Sequence, residues 1–210
     1  MMRILIADDH AVVREGVKRI LTTVDESIVV GEAGSGQELL AKATAAQWDV
    51  VMLDISMPGR NGLDVLRQLK STCPLLPVLV FSMHPENQYA VRAFKAGAAG
   101  YLTKESIPEE LVTAIRKVIQ GRRYVSPALA EHLVDAVAHP PNAPLHASLS
   151  DRELQVLCLL ASGKTVTEIA AELSLSVKTV STHRSRTLEK MHMKTNAELI
   201  HYAIWHRLVD

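Results

Sequence analysis

The strongest constraint on the fold is an alternation that runs from residue 3 to about residue 121. Short apolar runs are separated by longer stretches whose apolar residues recur every three or four positions. The five runs are Arg3–Ala7, Ile28–Glu32, Val50–Leu53, Pro77–Phe81 and Gly100–Leu102. Runs this short and this rich in Val, Ile and Leu are typical of strands that helices cover on both faces.

Five strands alternating with five helices predict an α/β fold with one parallel sheet. Crossovers in such a sheet are right-handed, which leaves the doubly wound arrangement with helices on both faces. The next stretch, Pro127–Ala138, is predicted to form a short helix capped by Ser126. Residues 139–148 contain three prolines and are predicted to be an extended linker.

Beyond the linker the sequence carries only helical signals. Four helices are predicted, and their capping residues are Ser150, Thr165, Ser176 and Thr195. They are expected to end near Ala161 (closed by Gly163), Leu173, Met191 and Leu208. The second half is therefore predicted to be a small all-α domain. The expected boundaries are 1–124 for the first domain, 125–147 for the linker and 148–210 for the second domain.

Composition excludes several classes of protein. The chain has 23 basic and 23 acidic side chains, so bulk charge gives no sign of nucleic-acid binding. Its two cysteines, Cys73 and Cys158, make neither a disulfide framework nor a zinc site. The opening MMRILIADDH does not resemble a signal peptide, and no apolar run is long enough to cross a bilayer. A soluble, cytoplasmic protein without a membrane partner is expected.

Polar side chains follow four of the five predicted strands. Asp8 and Asp9 follow the first strand, Asp54 the third, Ser82 the fourth and Lys104 the fifth. Ligands of open parallel sheets bind outside the carboxyl ends of the strands, near the point where the strand order reverses. The first and third strands flank that point, so the three carboxylates are expected to converge.

Three close carboxylates repel one another, and a hard divalent cation relieves the repulsion. Mg²⁺ prefers oxygen ligands and takes one or two carboxylates while keeping several waters. A carboxylate beside the metal can attack phosphorus and form an aspartyl phosphate. Lys104 would neutralise the phosphoryl charge, and the hydroxyl of Ser82 would donate a hydrogen bond.

The third helix of the second domain concentrates basic charge. Residues 178–194 contain five basic residues and one acidic residue, which gives a net charge of +4. Lys178, Ser181, Thr182 and Ser185 share one face, which predicts contact with DNA phosphates and the major groove. The apolar stripe that packs against the first two helices is predicted to be Val177, Val180, Leu188 and Met191.

Long segments of both halves resemble known families. RILIADDHAVVREGV, DVVMLDISMPGRNGLDVL and FSMHPENQYAVRAFKAGAAGYLTKES resemble the receiver domain of two-component response regulators. LSDRELQVLCLLASGKTVTEIAAELSLSVKTVSTHRSRTLEKM resembles the LuxR-type helix-turn-helix. The order of the halves is similar to that of the NarL/FixJ family. The resemblance implies a flavodoxin-like (βα)5 sheet followed by a four-helix helix-turn-helix domain.

The resemblance implies a role for each residue of the acidic cluster. Asp54 would accept a phosphoryl group from a sensor histidine kinase. Asp9 would bind Mg²⁺ directly, Asp8 mostly through water, and the backbone carbonyl of Ser56 would be a further ligand. Lys104 would pair with the phosphoryl oxygens.

The remaining implied roles concern switching and DNA. Ser82 would move towards the phosphoryl group and Tyr101 would change rotamer into the space that it leaves. The base-edge readers would be Ser181, Thr182 and Ser185, and the phosphate contacts Lys178, Arg184, Arg186 and Lys190. His183 is expected to be partly buried and hydrogen-bonded. The implied partners are the kinase, promoter DNA, RNA polymerase and, after phosphorylation, a second copy of the chain.

Two other functions fit part of the pattern. An aspartyl-phosphate phosphatase also uses an Asp nucleophile with Mg²⁺. In such enzymes, however, the nucleophile is the first residue of an Asp-x-Asp motif. Here Ser56 stands at the second position, so turnover should be very slow and the chain is not expected to be an enzyme. A regulator that binds a small ligand is the other alternative, and the complete acidic cluster argues against it.

Overall fold

A computed structural model describes residues 1–131 and 144–209, except for the side chains of residues 87 and 88. The chain forms two compact units, Met1–Asp135 and Ala136–Asp210. Over these described ranges no helix combines the length and the apolar character that a membrane span requires.

The first unit is a five-stranded parallel sheet with the strand order β2-β1-β3-β4-β5. Its strands are β1 (Arg3–Ala7), β2 (Val29–Ala33), β3 (Val50–Leu53), β4 (Val78–Ser82) and β5 (Gly100–Thr103). Its helices are α1 (Ala11–Val24), α2 (Gly36–Ala45), α3 (Gly62–Thr72), α4 (Glu86–Lys95) and α5 (Pro108–Ile119). This order confirms the predicted doubly wound fold, with β1 beside β3 where the order reverses.

Five boundaries in three strands were predicted one residue too early. β2 begins after Ile28, whose amide donates instead to the carbonyl of Asp25 in the preceding turn. β4 begins after Pro77, which has no amide to donate and whose carbonyl accepts from the Val51 amide. Both strands run one residue further than expected, and β5 extends to Thr103.

Burial of the strands on both faces holds the sheet together. Ile4 and Ile6 belong to a buried cluster with Leu111 and Ile115 of α5. Leu5 lies between them in the strand, is fully buried and points to the opposite face because successive strand residues alternate. The whole of β3 is also buried, so its end is a rigid support for the residue that follows.

The loop after β3 is closed by a tight contact at Gly62, the first residue of α3. The side chain of Asn61 caps this helix by accepting from the Leu63 amide at 2.9 Å. A methyl group at Gly62 would lie 2.3 Å from the Cα of Ile55, so only glycine fits without moving the backbone. Ile55 directly follows Asp54, so this contact helps to position that carboxylate.

Gly62→Ala is expected to destabilise the first unit by about 3 kcal/mol, the upper end of the cost of overpacking. The added methyl group would clash with backbone atoms of Ile55, and these atoms cannot rotate away as a side chain could. Gly16→Ala is the matched control, because no atom lies within 4 Å of its added methyl group. In the interior of α1 that change should stabilise by up to ~1 kcal/mol. Urea denaturation of both variants measures the difference, and equal midpoints would contradict the prediction.

The segment after α5 returns to the sheet. Tyr124 bridges to Gly100 beside β5, and its amide donates to the carbonyl of Ala99. The hydroxyl of Ser126 accepts from the Leu129 amide at 3.1 Å, as predicted for the cap of a helix beginning at Pro127. Helical backbone continues to residue 131. The rest of the predicted helix to Ala138 and residues 139–143 of the predicted linker lie outside the described residues.

The second unit is helical throughout its described part, with a short 3-10 helix at Leu145–Ser148. Its four α-helices in residues 144–209 are α6 (Asp151–Ala161), α7 (Val166–Glu172), α8 (Val177–Lys190) and α9 (Asn196–Trp205). Ser150 and Thr165 each form a reciprocal capping box with the glutamate three residues later. Ser176 and Thr195 also cap their helices as predicted.

Three helix ends in this unit use a left-handed residue that is not glycine. Ser174, His192 and Arg207 have φ angles of 52°, 55° and 51°, and in the described residues no other non-glycine φ is positive. After Arg207 the Leu208 amide donates to the carbonyl of Ala203, which closes the last turn. The prediction that α9 reaches Leu208 was wrong for this reason, because the helix ends at Trp205.

Candidate functional site

The two acids that follow β1 and β3 lie side by side at the end of the sheet. The register pairs Ala7 with Leu53, and the Asp54 amide donates to the Ala7 carbonyl at 2.8 Å. Asp8 and Asp54 therefore leave the sheet at the same level. Both are almost fully buried, with relative exposures of 1% and 2%.

Lys104 joins these two carboxylates. Its Nζ lies 2.6 Å from Asp8 Oδ2 and 2.6 Å from Asp54 Oδ2, and its side chain is only 7% exposed. Its amide donates to the Ser82 carbonyl, which fixes the start of the loop after β5. Burial acts to lower the pKa of Lys104, but the hydrogen bonds to Asp54 and Asp8 outweigh it and the pKa is raised. The ammonium group is therefore charged at neutral pH.

Three side chains with hydroxyl groups, Ser56, Ser82 and Tyr101, lie close to these carboxylates or to one another. Ser82 is fully buried, and its Oγ lies 3.1 Å from the Oγ of Ser56. The Ser56 amide donates to Asp54 Oδ1 at 2.8 Å, which orients that carboxylate. Tyr101 is also fully buried, and its hydroxyl donates to the His84 carbonyl at 2.8 Å. Burial is the main reason that the pKa of Tyr101 is raised, so its hydroxyl keeps its proton.

The remaining acid, Asp9, lies at the open side of the pocket beside His10. His10 Nδ1 is 3.2 Å from Asp9 Oδ1 and 3.3 Å from Asp8 Oδ1. One donor atom from each of four residues lies within 4.8 Å of the others: Asp8, Asp9, His10 and Asp54. Asp9 Oδ1 is buried, and apart from its ion-pair contact with the His10 ring it has no hydrogen-bond partner among the described residues. Such a set of oxygens is what a hard divalent cation requires.

In the second unit, α7 and α8 form a helix-turn-helix. Ile169, Leu173 and Val180 share one buried cluster, and Ser174 makes the turn between the helices. The predicted DNA-contacting side chains of α8 are exposed or half-buried, and they are Lys178, Ser181, Thr182, Arg184, Ser185, Arg186 and Lys190. The helix therefore offers a polar, basic face opposite its packed face.

The predicted apolar stripe of α8 was partly wrong. Val177 is 49% exposed, because it is the first residue of the helix and extends past the packed surface. Thr187 is fully buried instead, since its hydroxyl donates to the His183 carbonyl and its methyl group can then pack. His183 is half-buried as expected, but its Nδ1 has no hydrogen-bond partner among the described residues. Burial is the first cause of its lowered pKa.

Two basic side chains of α8 are held within the unit. Lys190 Nζ lies 2.7 Å from Glu153 Oε2, and Arg184 Nε donates to Asn196 Oδ1. Glu153 is nearly buried; burial opposes its ionisation, but the bonds from Lys190 and Ser150 prevail and its pKa is lowered. Within residues 1–131 and 144–209, no such bond engages the exposed cations Lys178 and Arg186.

Helix α9 covers the unit with one side and leaves the other exposed. Leu199 and Ala203 are fully buried, whereas Ile204 and Trp205 are 55% and 76% exposed. The exposed side borders an open groove of about 650 Å³ whose lining includes His201 and Tyr202.

Each of the two units matches a known protein family, and relatives that cover the whole chain contain both. Residues 4–116 match the family described as response regulator receiver domain, and residues 147–203 match the luxR family of bacterial regulatory proteins. The response regulator UvrY of Escherichia coli K12 is 38% identical over 100% of this chain and 97% of its own length. The chain belongs to the NarL/FixJ family of response regulators.

Other response regulators show the same likeness over the full chain. GacA of Pseudomonas aeruginosa is 39% identical over 100% of this chain and 99% of its own. A structure of RcsB from Salmonella enterica serovar Typhimurium, bound to promoter rprA with phosphomimetic BeF3−, has a TM-score of 0.65 at 26% identity. It covers 96% of this chain, and this chain covers 97% of it. This response regulator thus combines a receiver domain with a LuxR-type DNA-binding domain.

The sequence predicted most of the receiver pocket but overlooked two contacts. His10 was not assigned to the acidic cluster, although its place directly after Asp8 and Asp9 was a usable signal. The side-chain contact of Ser56 with Ser82 was also missed. No sequence signal gives that contact, because it depends on how the loops after β3 and β4 approach each other.

Proposed function

We propose that Asp54 of this response regulator accepts a phosphoryl group from a sensor histidine kinase and thereby controls promoter binding. The observation that carries this proposal is the pair of 2.6 Å contacts from Lys104 to Asp8 and Asp54. A buried cation between two buried acids, at the reversal point of a parallel sheet, supports phosphoryl chemistry better than a purely structural role.

In the proposed transfer, a carboxylate oxygen of Asp54 attacks the phosphorus of a phosphohistidine. An oxygen–phosphorus bond forms, the phosphorus–nitrogen bond breaks, and the imidazole leaves with the electron pair. The Ser56 amide orients the Asp54 carboxylate by donating a hydrogen bond to its Oδ1. Lys104 supplies positive charge that the incoming phosphoryl oxygens can meet.

The donor set fits Mg²⁺, which we propose as the metal. Asp9 would bind it directly, Asp8 mostly through water, and Asp54 and the Ser56 carbonyl would complete the protein ligands. The buried Asp9 Oδ1, which lacks a hydrogen bond in the described residues, supports this choice. When bound, Mg²⁺ neutralises charge on the phosphoryl oxygens.

Ser82 and Tyr101 are proposed to transmit the change. Ser82 Oγ is buried next to the Oγ of Ser56, and a phosphoryl group on Asp54 would offer it a stronger acceptor. Its movement would leave space for Tyr101, which would then exchange its bond with the His84 carbonyl for another position. Such a two-state change could alter the surface at α4 and β5.

The chain is proposed to act as a regulator rather than a multiple-turnover enzyme. Ser56 has no acid to protonate a leaving group or activate water, so we expect one phosphoryl transfer followed by slow hydrolysis of the aspartyl phosphate. The proposed division is a receiver at 1–124, a linker at 125–147 and a DNA-binding domain at 148–210. A protein that binds promoter DNA in a bacterium acts in the cytoplasm.

For DNA, we propose that α8 is the recognition helix. Ser181, Thr182 and Ser185 would read base edges, while Lys178, Arg184, Arg186 and Lys190 would contact phosphates. Lys190 and Arg184 must first exchange their contacts with Glu153 and Asn196. The exposed side of α9 would pair two phosphorylated copies, and RNA polymerase would be a further partner at the promoter.

The proposal is tested by DNA affinity with and without acetyl phosphate and Mg²⁺. The probe is a duplex selected from a random-sequence pool by the phosphorylated protein. We expect tighter binding after phosphorylation, with protection of two half-sites about one helical turn apart. Unchanged affinity on treatment, with labelling of the protein verified, would refute control by phosphorylation.

Lys178→Ala is expected to weaken binding to every duplex by a similar factor, because a phosphate contact carries no sequence information. The plot of log affinity against log salt should lose about one unit of slope. Lys95→Ala, at the exposed end of α4, changes the net charge equally and serves as the control. If both variants show the same slope, Lys178 is not a phosphate contact.

A further inference from the structure

His10 adds a nitrogen atom to the acidic pocket that no role assigned above uses. Its Nδ1 lies 3.3 Å from Asp8 Oδ1 and 3.2 Å from Asp9 Oδ1. It is one of the four residues whose donor atoms lie within 4.8 Å of one another. The pocket therefore holds an imidazole and three carboxylates within the span of a single ion.

These distances match the ligand shell of an octahedral dication. Metal–ligand bonds of ~2.1 Å place neighbouring ligand atoms about 3.0 Å apart and opposite ones about 4.2 Å apart. The nitrogen–oxygen distances at His10 are close to the neighbouring value. An ion bound by Asp9 and His10 would have these two ligand atoms at neighbouring positions, with Asp8 reached through water as proposed above.

The backbone directs His10 into this position. His10 is the cap of α1, and its amide donates to Asp8 Oδ1 at 2.8 Å. That bond fixes the base of the side chain beside the acids. The ring itself is 66% exposed, so it can turn towards an ion without leaving a packed core.

We propose that His10 is a nitrogen ligand in the acidic pocket and raises its affinity for first-row transition dications relative to Mg²⁺, with a larger gain for Ni²⁺ than for Mn²⁺. The inference rests on the metal site of the proposed function and extends it. Imidazole suits transition metals, whereas Mg²⁺ takes oxygen ligands and keeps its waters. A pocket that contains only carboxylates lacks the nitrogen ligand that would distinguish transition dications from Mg²⁺.

The test uses the full chain and Mn²⁺ as the probe. Loss of the free-ion electron paramagnetic resonance signal measures Mn²⁺ affinity and stoichiometry, and competition measures Mg²⁺ affinity. Pulsed resonance on the bound ion reports any directly coordinated nitrogen. We expect one tight Mn²⁺ per chain, with nitrogen coupling that His10→Asn abolishes.

His10→Asn should lower Mn²⁺ affinity on the order of tenfold or more and change Mg²⁺ affinity much less. Asparagine is a favoured helix cap, so the variant should keep the start of α1. His192→Asn is the matched control, because that exposed histidine lies in the other unit and asparagine tolerates its left-handed backbone. It should leave the coupling and both affinities unchanged.

Failure of this inference differs from failure of the proposed function. If the wild-type chain accepts a phosphoryl group with Mg²⁺ but bound Mn²⁺ shows no nitrogen coupling, only the role of His10 is overturned. Equal losses of Mn²⁺ and Mg²⁺ affinity in His10→Asn would also overturn it, since a general charge effect would explain them. A wild-type chain that neither binds Mg²⁺ nor accepts a phosphoryl group would instead refute the proposed function.

Discussion

Asp54→Asn is expected to abolish labelling of the chain by acetyl phosphate. The amide that replaces the carboxylate is a poor nucleophile and carries no charge to hold a metal ion. Lys104 also loses one of its two charged acceptors. Radiolabelled acetyl phosphate with Mg²⁺, followed by gel electrophoresis, measures the effect, and the variant should also lose the phosphodonor-dependent gain in DNA affinity.

Asp64→Asn is the control for this experiment. Asp64 lies on α3, its side chain is 56% exposed, and the change removes the same charge. Its labelling should equal that of the wild type. Labelling that persists in Asp54→Asn at the wild-type level would mean that another residue is the acceptor, and peptide mapping would then identify it.

Lys104→Gln is expected to produce the second-largest effect, and it acts on both chemistry and stability. Two buried carboxylates lose their shared cation, and removing one partner from a buried ion pair costs about 3–5 kcal/mol. Phosphorylation should slow on the order of 10²-fold, as for loss of one preorganised charge donor at a reacting group. Urea denaturation and initial labelling rates measure the two effects.

Mg²⁺ provides an internal check on the Lys104 prediction. The ion should stabilise Lys104→Gln more than the wild type, because it replaces part of the missing positive charge. Lys42→Gln is the control: its exposed ion pair with Glu38 is worth at most ~0.5 kcal/mol and its bond to the Glu32 carbonyl about 1 kcal/mol, well below the loss expected for Lys104→Gln. An unchanged unfolding midpoint for Lys104→Gln without Mg²⁺ would contradict the proposed electrostatic role.

The pH range for these measurements follows from the raised pKa of Lys104. A lysine whose pKa is higher in the folded state contributes stability that is fully present below its unfolded value of about 10.4. That contribution is lost only as the pH rises through the higher folded value. The comparison of Lys104→Gln with the wild type is therefore valid from neutral to mildly alkaline pH.

The sequence predicted the sheet and the convergence of the pocket because both follow from topology. Asp8 and Asp54 each come one residue after strands that pair in register, so their approach needed no knowledge of side-chain packing. Helix starts were predictable for a similar reason: a Ser or Thr and a Glu three residues later satisfy each other locally. The pocket thus follows from the order of the strands, and the helix starts follow from four-residue stretches of chain.

Features that depend on distant packing were missed. Thr187 is polar in sequence, and its burial is possible because its hydroxyl donates to the carbonyl of His183 one turn earlier. Val177 is apolar, but its exposure depends on where the neighbouring helices end. The pairing of Lys190 with Glu153 joins residues 37 positions apart, so a count of basic residues on α8 overstated the charge available to DNA.

The three left-handed residues at helix ends lower the thermal stability of the DNA-binding domain. Ser174, His192 and Arg207 each hold a conformation that costs a non-glycine residue about 1–2 kcal/mol. Glycine would relieve most of that strain, and none of the three positions lies within the helix proposed to read bases. Glycine at these positions is therefore expected to raise the unfolding temperature of this domain without changing the side chains proposed to read bases.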